Sequence, residues 1–123
     1  MSYAVESYTT ESTALAPFEI WEVMLDDYTT IKFNEPLIVE PEILPPEEPG
    51  DRTYFTVDVP HLAISSYGVD YEELVCAIRS DIRFAWRHFA LANDNQLTRE
   101  AKAIKDNYLA IAEAYPGYFT RFP

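Results

Sequence analysis

The order of hydrophobic patterns along the chain predicts an α+β fold: a three- to four-stranded antiparallel sheet and two C-terminal helices, the first packed on one sheet face. Three observations carry this. Runs rich in aromatic and β-branched residues, one of them strictly alternating, recur through residues 18 to 67. A helix-start signal at Asp70 opens an apolar stripe of helical period. A second one-sided pattern begins after Thr98. With 123 residues, 48% of them apolar, the chain predicts one domain, residues 17 to 123, behind a loose polar arm of residues 1 to 16.

The elements follow in order. "FEIWEVML", residues 18 to 25, is a strand, Asp26-Asp27-Tyr28 a turn, and "TTIKF" a short return strand. The stretch from Glu35 to Asp51 holds five prolines in seventeen residues. Proline cannot donate to a sheet ladder, so Leu37 to Glu40 is expected to be at most an edge strand and residues 41 to 51 an acidic loop. In "RTYFTVDVP", Phe55, Val57 and Val59 fall on one face and Tyr54, Thr56 and Asp58 on the other. Pro60 ends that ladder, "HLAISSY" is the next strand, and Gly68 supplies the turn out of it.

Asp70 and Glu73 form a capping-box pair, with Val69 and Leu74 as the hydrophobic staple, and Glu72 adds charge favoured at a helix start. Helix formation accounts for these three acids without a catalytic or metal-binding role. Tyr71, Leu74, Val75, Ile78, Ile82, Ala85, Trp86 and Phe89 make one apolar stripe, predicting a core-facing helix over 71–91. Ala77, Phe84 and Leu91 make a second, narrower line, and Arg79, Arg83 and Arg87 a third face. Thr98 caps a second helix, expected over 98–114, whose apolar positions Ala101, Ile104, Tyr108 and Ile111 would dock on the Phe84/Leu91 line. The aromatic tail "YFTRFP" is expected to fold back.

The net charge of −12 is unevenly placed. Residues 1 to 51 hold twelve acids against Lys32 alone, whereas residues 52 to 123 hold nine acids and eight bases. Such a field repels nucleic-acid phosphates and attracts cationic partners. No apolar run approaches the ~20 residues that cross a bilayer, and no basic-then-apolar leader opens the chain. The single cysteine, Cys76, excludes a disulfide framework within the chain and fits a reducing, cytoplasmic setting. No direct nucleic-acid contact, no membrane and no cofactor are expected.

From Pro60 to Leu74 the chain resembles HicB-like antitoxin domains, in which two strands lead into a G-x-[TS]-x-E-E-A helix start. Gly68, Asp70, Glu72, Glu73 and Leu74 stand in that register, with Asp70 where the family has threonine. The resemblance covers about residues 52 to 91, and lacks the Leu-Pro-Gly corner. It implies a module that neutralises a toxin-like protein, without a DNA-binding half. The rest resembles small bacterial proteins with an E-E-L helix, here Glu72-Glu73-Leu74, a tryptophan near its end, Trp86, and a turn like "LANDNQLT".

Two other readings compete. Asp58 and His61 could form an acid–base pair at a sheet corner, and the kinship of HicB-like domains with part of the ribonuclease H fold raises a two-metal nuclease. Neither finds a nucleophile motif or carboxylates spaced to converge. The third reading is a structural homo-oligomer subunit. The favoured expectation is a non-enzymatic acidic interaction module, dimerising through sheet edges and binding a basic protein. Its partner surface would comprise Glu40, Glu42, Glu47, Glu48, Asp51, Arg79, Arg83 and Arg87, the arginines also being candidates to pair with acids of this chain or of a second copy.

Overall fold

Asp26 reverses the first hairpin: its Oδ1 accepts from the Tyr28 N–H at 2.8 Å, and the Leu25 N–H donates to Thr29 O at 2.8 Å. This turn joins β1 (Phe18–Met24) to β2 (Thr29–Val39) in the computed structural model, which describes residues 15 to 116. The expectations for the arm fall almost wholly outside those residues, and the one for the tail entirely so. The class is α+β as the patterns predict, but the strands are shared between two three-stranded antiparallel sheets. The first has the order β1-β2-β6 and the second β3-β4-β5, where β3 is Glu42–Leu44, β4 Tyr54–Val59, β5 Ile64–Gly68 and β6 Ala112–Pro116.

β2 is longer than its prolines suggest. Glu22 pairs with Lys32 and Ile20 with Leu37, so Phe33 to Pro36 bulge opposite Trp21. Pro36 sits where the ladder is already interrupted, and beyond Phe33 the strand pairs, among the described residues, with β1 alone. Leu37 to Val39 therefore form an edge segment, as expected for Leu37 to Glu40, with Glu40 itself outside the strand.

α1 (Tyr71–Ala85) starts as its sequence dictates. The Asp70 Oδ1 accepts from the Glu73 N–H at 2.8 Å, and Glu73 Oε1 reaches back to the Val69 N–H at 3.2 Å. Leu74, Ile78, Ile82 and Ala85 are fully buried, whereas Tyr71 is exposed and Val75 half-buried. Burying each of the larger aliphatic chains stabilises by roughly 1.5–3 kcal/mol. Gly68 lies at the end of β5 against the first turn of this helix. A Cβ there would stand 2.5 Å from Leu74 N and 2.9 Å from Glu73 C. Its backbone is not in the left-handed region. Glycine is needed there for close approach, not for the turn that the sequence suggests.

The helix expected over 71–91 is α-helical only to Ala85, then widens into a π-helical turn over Trp86–Ala90. α2 (Arg99–Ile111) is capped by Thr98, whose Oγ1 accepts from the Ala101 N–H at 3.1 Å. It ends three residues earlier than expected, because Ala112 turns extended and β6 pairs with Thr29–Phe33 of β2. Nor does α2 dock on the Phe84/Leu91 line: Phe84 is 56% and Leu91 61% exposed. It packs instead through Tyr108, which is fully buried and meets Trp86 edge-to-face at 6.2 Å. Both sheets and α1 share one continuous core.

Candidate interaction surface

The β4–β5 corner, where an Asp58/His61 site is conceivable, is built as a clamp. Pro60–Leu62 forms a 3-10 turn closed by the Ala63 N–H donating to Pro60 O at 3.0 Å, with Ala63 left-handed at φ 56°. Leu62 is fully buried. Its carbonyl accepts the Tyr108 hydroxyl at 2.6 Å, and the His61 carbonyl accepts from Asn107 Nδ2 at 2.8 Å. Burial, reinforced by the charge of Asp81, pushes the Tyr108 phenol well above its ordinary value. His61 is exposed, and no hydrogen bond joins its ring to Asp58. Among the described residues no three His, Cys, Asp or Glu side chains gather closely enough to hold a metal ion.

Asp81 ties α1 to β5. Its Oδ2 accepts from the Ser65 N–H at 2.9 Å and from the buried Ser66 hydroxyl at 2.8 Å. This fixes the second sheet against the helix and, among the described residues, leaves the outer sheet face uncovered. The pairings Glu42–Thr56, Thr56–Tyr67, Leu44–Tyr54 and Asp58–Ser65 place those side chains on that face. Tyr67 is 64% exposed and meets Tyr54 edge-to-face at 5.7 Å.

The acidic residues expected to form a partner surface lie beside this face. Glu40 and Glu42 flank the start of β3, and Glu47, Glu48 and Asp51 lie in the following loop, all five exposed. Asp51 closes a small loop of its own, its Oδ2 accepting from the Glu48 N–H at 3.2 Å. None of the five is in an ion pair among the described residues.

The arginine stripe does not join them. Arg83 Nη1 donates to Met24 O at 3.3 Å, and Arg87 donates to Leu25 O, so both hold the β1–β2 turn through its carbonyls. Arg79, one turn earlier in α1, is exposed. The described ion pairs are elsewhere: Lys105 to Asp94 at 2.9 Å, and Lys102 to Asp94 and Asp106. The Lys105 ammonium beside Asp94, bonded to it and then attracting it through space, holds that carboxyl below the usual range.

Two open depressions meet on the acidic side of the molecule. One, about 590 Å³, runs along the loop past Glu47, Asp51 and Arg52; the other, about 460 Å³, crosses the sheet face past Asp58, Ser65 and Tyr67. Leu44 and Tyr54 line both. Sequence reasoning finds the carboxylates but not the two tyrosines. The alternation of β4 already turns Tyr54 outward, and only the pairing with β5 brings Tyr67 beside it.

The fold and this surface define a two-sheet α+β domain with an acidic, partly aromatic face. Searches with protein-family models, among curated proteins and among solved structures give no match to the chain.

Proposed function

We propose that this chain is a non-enzymatic interaction module that binds, and in antitoxin fashion neutralises, a basic protein partner. One observation carries the reading. Glu40, Glu42, Glu47, Glu48 and Asp51 are held exposed on one side of the second sheet, with no basic residue of the described chain paired to them. Opposed charge speeds encounter and penalises acidic competitors.

The test is co-purification of the tagged chain from its source cells at increasing salt. A short basic protein encoded beside it is the first partner to examine. The expected result is a cationic partner whose affinity falls steeply with salt, and falls again when the five acids are replaced by their amides. A partner held equally well at low and high salt would refute the reading.

A second reading, a homo-oligomeric assembly subunit, has its own observation. Phe84 on α1 and Leu91 just past its π-helical extension remain exposed, with Phe84 stacked against His88 at 4.2 Å. Sizing of the wild type against Phe84→Ser separates it from the first: a stable oligomer lost in the variant, with no basic partner recovered, would favour it.

A further inference from the structure

We infer that the outer face of the second sheet is an arginine-binding trough: a basic, extended segment of the protein partner lies across β3–β4–β5, anchored over the exposed ring of Tyr67, which Tyr54 buttresses edge-on. This rests on the proposed function and supplies its contact surface and ligand chemistry.

β3 offers an open edge, but only three residues long and bracketed by Pro41 and Pro45. Neither proline can donate a backbone hydrogen bond, so the edge is a poor template for an added strand. The face, by contrast, joins the two depressions through Leu44 and Tyr54.

Charge and ring chemistry choose the occupant. Glu47 and Asp51 lie at one end of the trough and Asp58 at the other, with Glu42 across from Thr56 on the sheet; among the described residues Arg52 is the one base lining it. Tyr67 presents an exposed ring whose face attracts a cation, and the planar guanidinium stacks there better than an ammonium. A second copy of this chain, at −12, and a nucleic acid both bring like charge to these acids. An extended segment alternates its side chains, so every second residue faces the sheet and the rest face solvent. Arginines at alternate positions therefore reach Tyr54/Tyr67 and the flanking carboxylates together.

The test titrates the full chain with an alternating arginine–threonine peptide, followed by amide NMR shifts and by calorimetry at low salt. Matching lysine–threonine and glutamate–threonine peptides serve as comparisons. The expected shifts centre on Tyr54, Thr56, Asp58, Ser65 and Tyr67. Tyr67→Ala should weaken the arginine peptide about tenfold, Tyr67→Phe should leave it unchanged, and the lysine peptide should bind more weakly than the arginine one. The high exposure of Tyr67 keeps the fold intact in both variants, which a thermal melt verifies.

Binding weakened by Glu47→Gln with Asp51→Asn but indifferent to Tyr67→Ala would overturn the trough while leaving the acidic-module reading standing. No binding of the arginine peptide at low salt would also overturn it, the wider reading then being judged by co-purification. Shifts of the same residues by a single-stranded RNA, or by raising the concentration of the chain alone, would assign the face to nucleic acid or to a second copy and refute the proposal.

Discussion

Gly68→Ala sets two opposed effects against each other, and their sizes decide the outcome. The backbone at Gly68 is outside the left-handed region, so alanine is conformationally acceptable. Its smaller unfolded-state entropy would by itself stabilise the protein by about 0.4–1 kcal/mol. Against this, the new methyl would stand 2.5 Å from Leu74 N and 2.9 Å from Leu74 Cα. These are backbone atoms of the first turn of α1, not the movable end of a side chain. The helix cannot withdraw cheaply, because Leu74, Ile78 and Ile82 are fully buried below it. Nor can it shift along its axis without breaking the Asp81 bonds to Ser65 and Ser66. Overpacking of this kind costs about 1–3 kcal/mol, and a backbone clash belongs at the upper end. The expected net loss is about 2 kcal/mol, which for a domain of this size lowers Tm by roughly 8 °C. Urea and thermal unfolding followed by circular dichroism measure it. Gly50→Ala is the control: it meets nothing within 4 Å but sits at φ 94°, so its cost is backbone strain alone. A Gly68→Ala protein as stable as the wild type would show that β5 and α1 are not held at this separation.

Removing the Tyr108 hydroxyl as Tyr108→Phe takes away a buried bond to Leu62 O and should cost about 1–3 kcal/mol in urea unfolding, with a loss below 0.5 kcal/mol counting against the clamp. Because burial raises the Tyr108 phenol in the folded state, its contribution is complete below the ordinary tyrosine range and is lost as the pH rises from about 10. The wild type should therefore lose stability above that pH more steeply than Tyr108→Phe, and parallel curves would refute the assignment. Asp81→Ala leaves the buried Ser66 hydroxyl without its acceptor and frees the Ser65 N–H, for an expected loss of about 2 kcal/mol, whereas Asp81→Asn, which keeps an acceptor oxygen, should recover part of it. Equal losses in the two would mean that the carboxylate charge, not the geometry, matters there.

What could be read from the chain and what could not divides along physical lines. α1 was readable because its signals are local: Asp70 and Glu73 cap it, and Leu74, Ile78 and Ile82 repeat at helical spacing. β4 was readable from alternation, and its outward Tyr54 and Asp58 with it. β6 was not, since Ile111, Ala112 and Tyr115 continue the helical pattern without a break. Its conformation is decided by β2, some eighty residues earlier, which offers a ladder from Thr29 to Phe33. Tertiary pairing overrides local preference there. The same distance effect hid the role of the arginines: spacing put Arg83 and Arg87 on one helix face, but only the fold brings the Met24 and Leu25 carbonyls to them. The acids of the candidate surface were visible as charge. Their aromatic companion Tyr67 emerges only once the β4–β5 register is known.

The pairing of β6 with β2 also bears on how the chain reaches its fold. A two-stranded ribbon is marginal by itself in water, so the β1–β2 hairpin waits on a clasp that arrives through both helices. Closing so long a loop is slow because its entropy must be lost before the contacts reward it. Until then Ile31 and Phe33 lie beside an unprotected strand border, and it is in that interval that the molecule is most open to sticking to its neighbours.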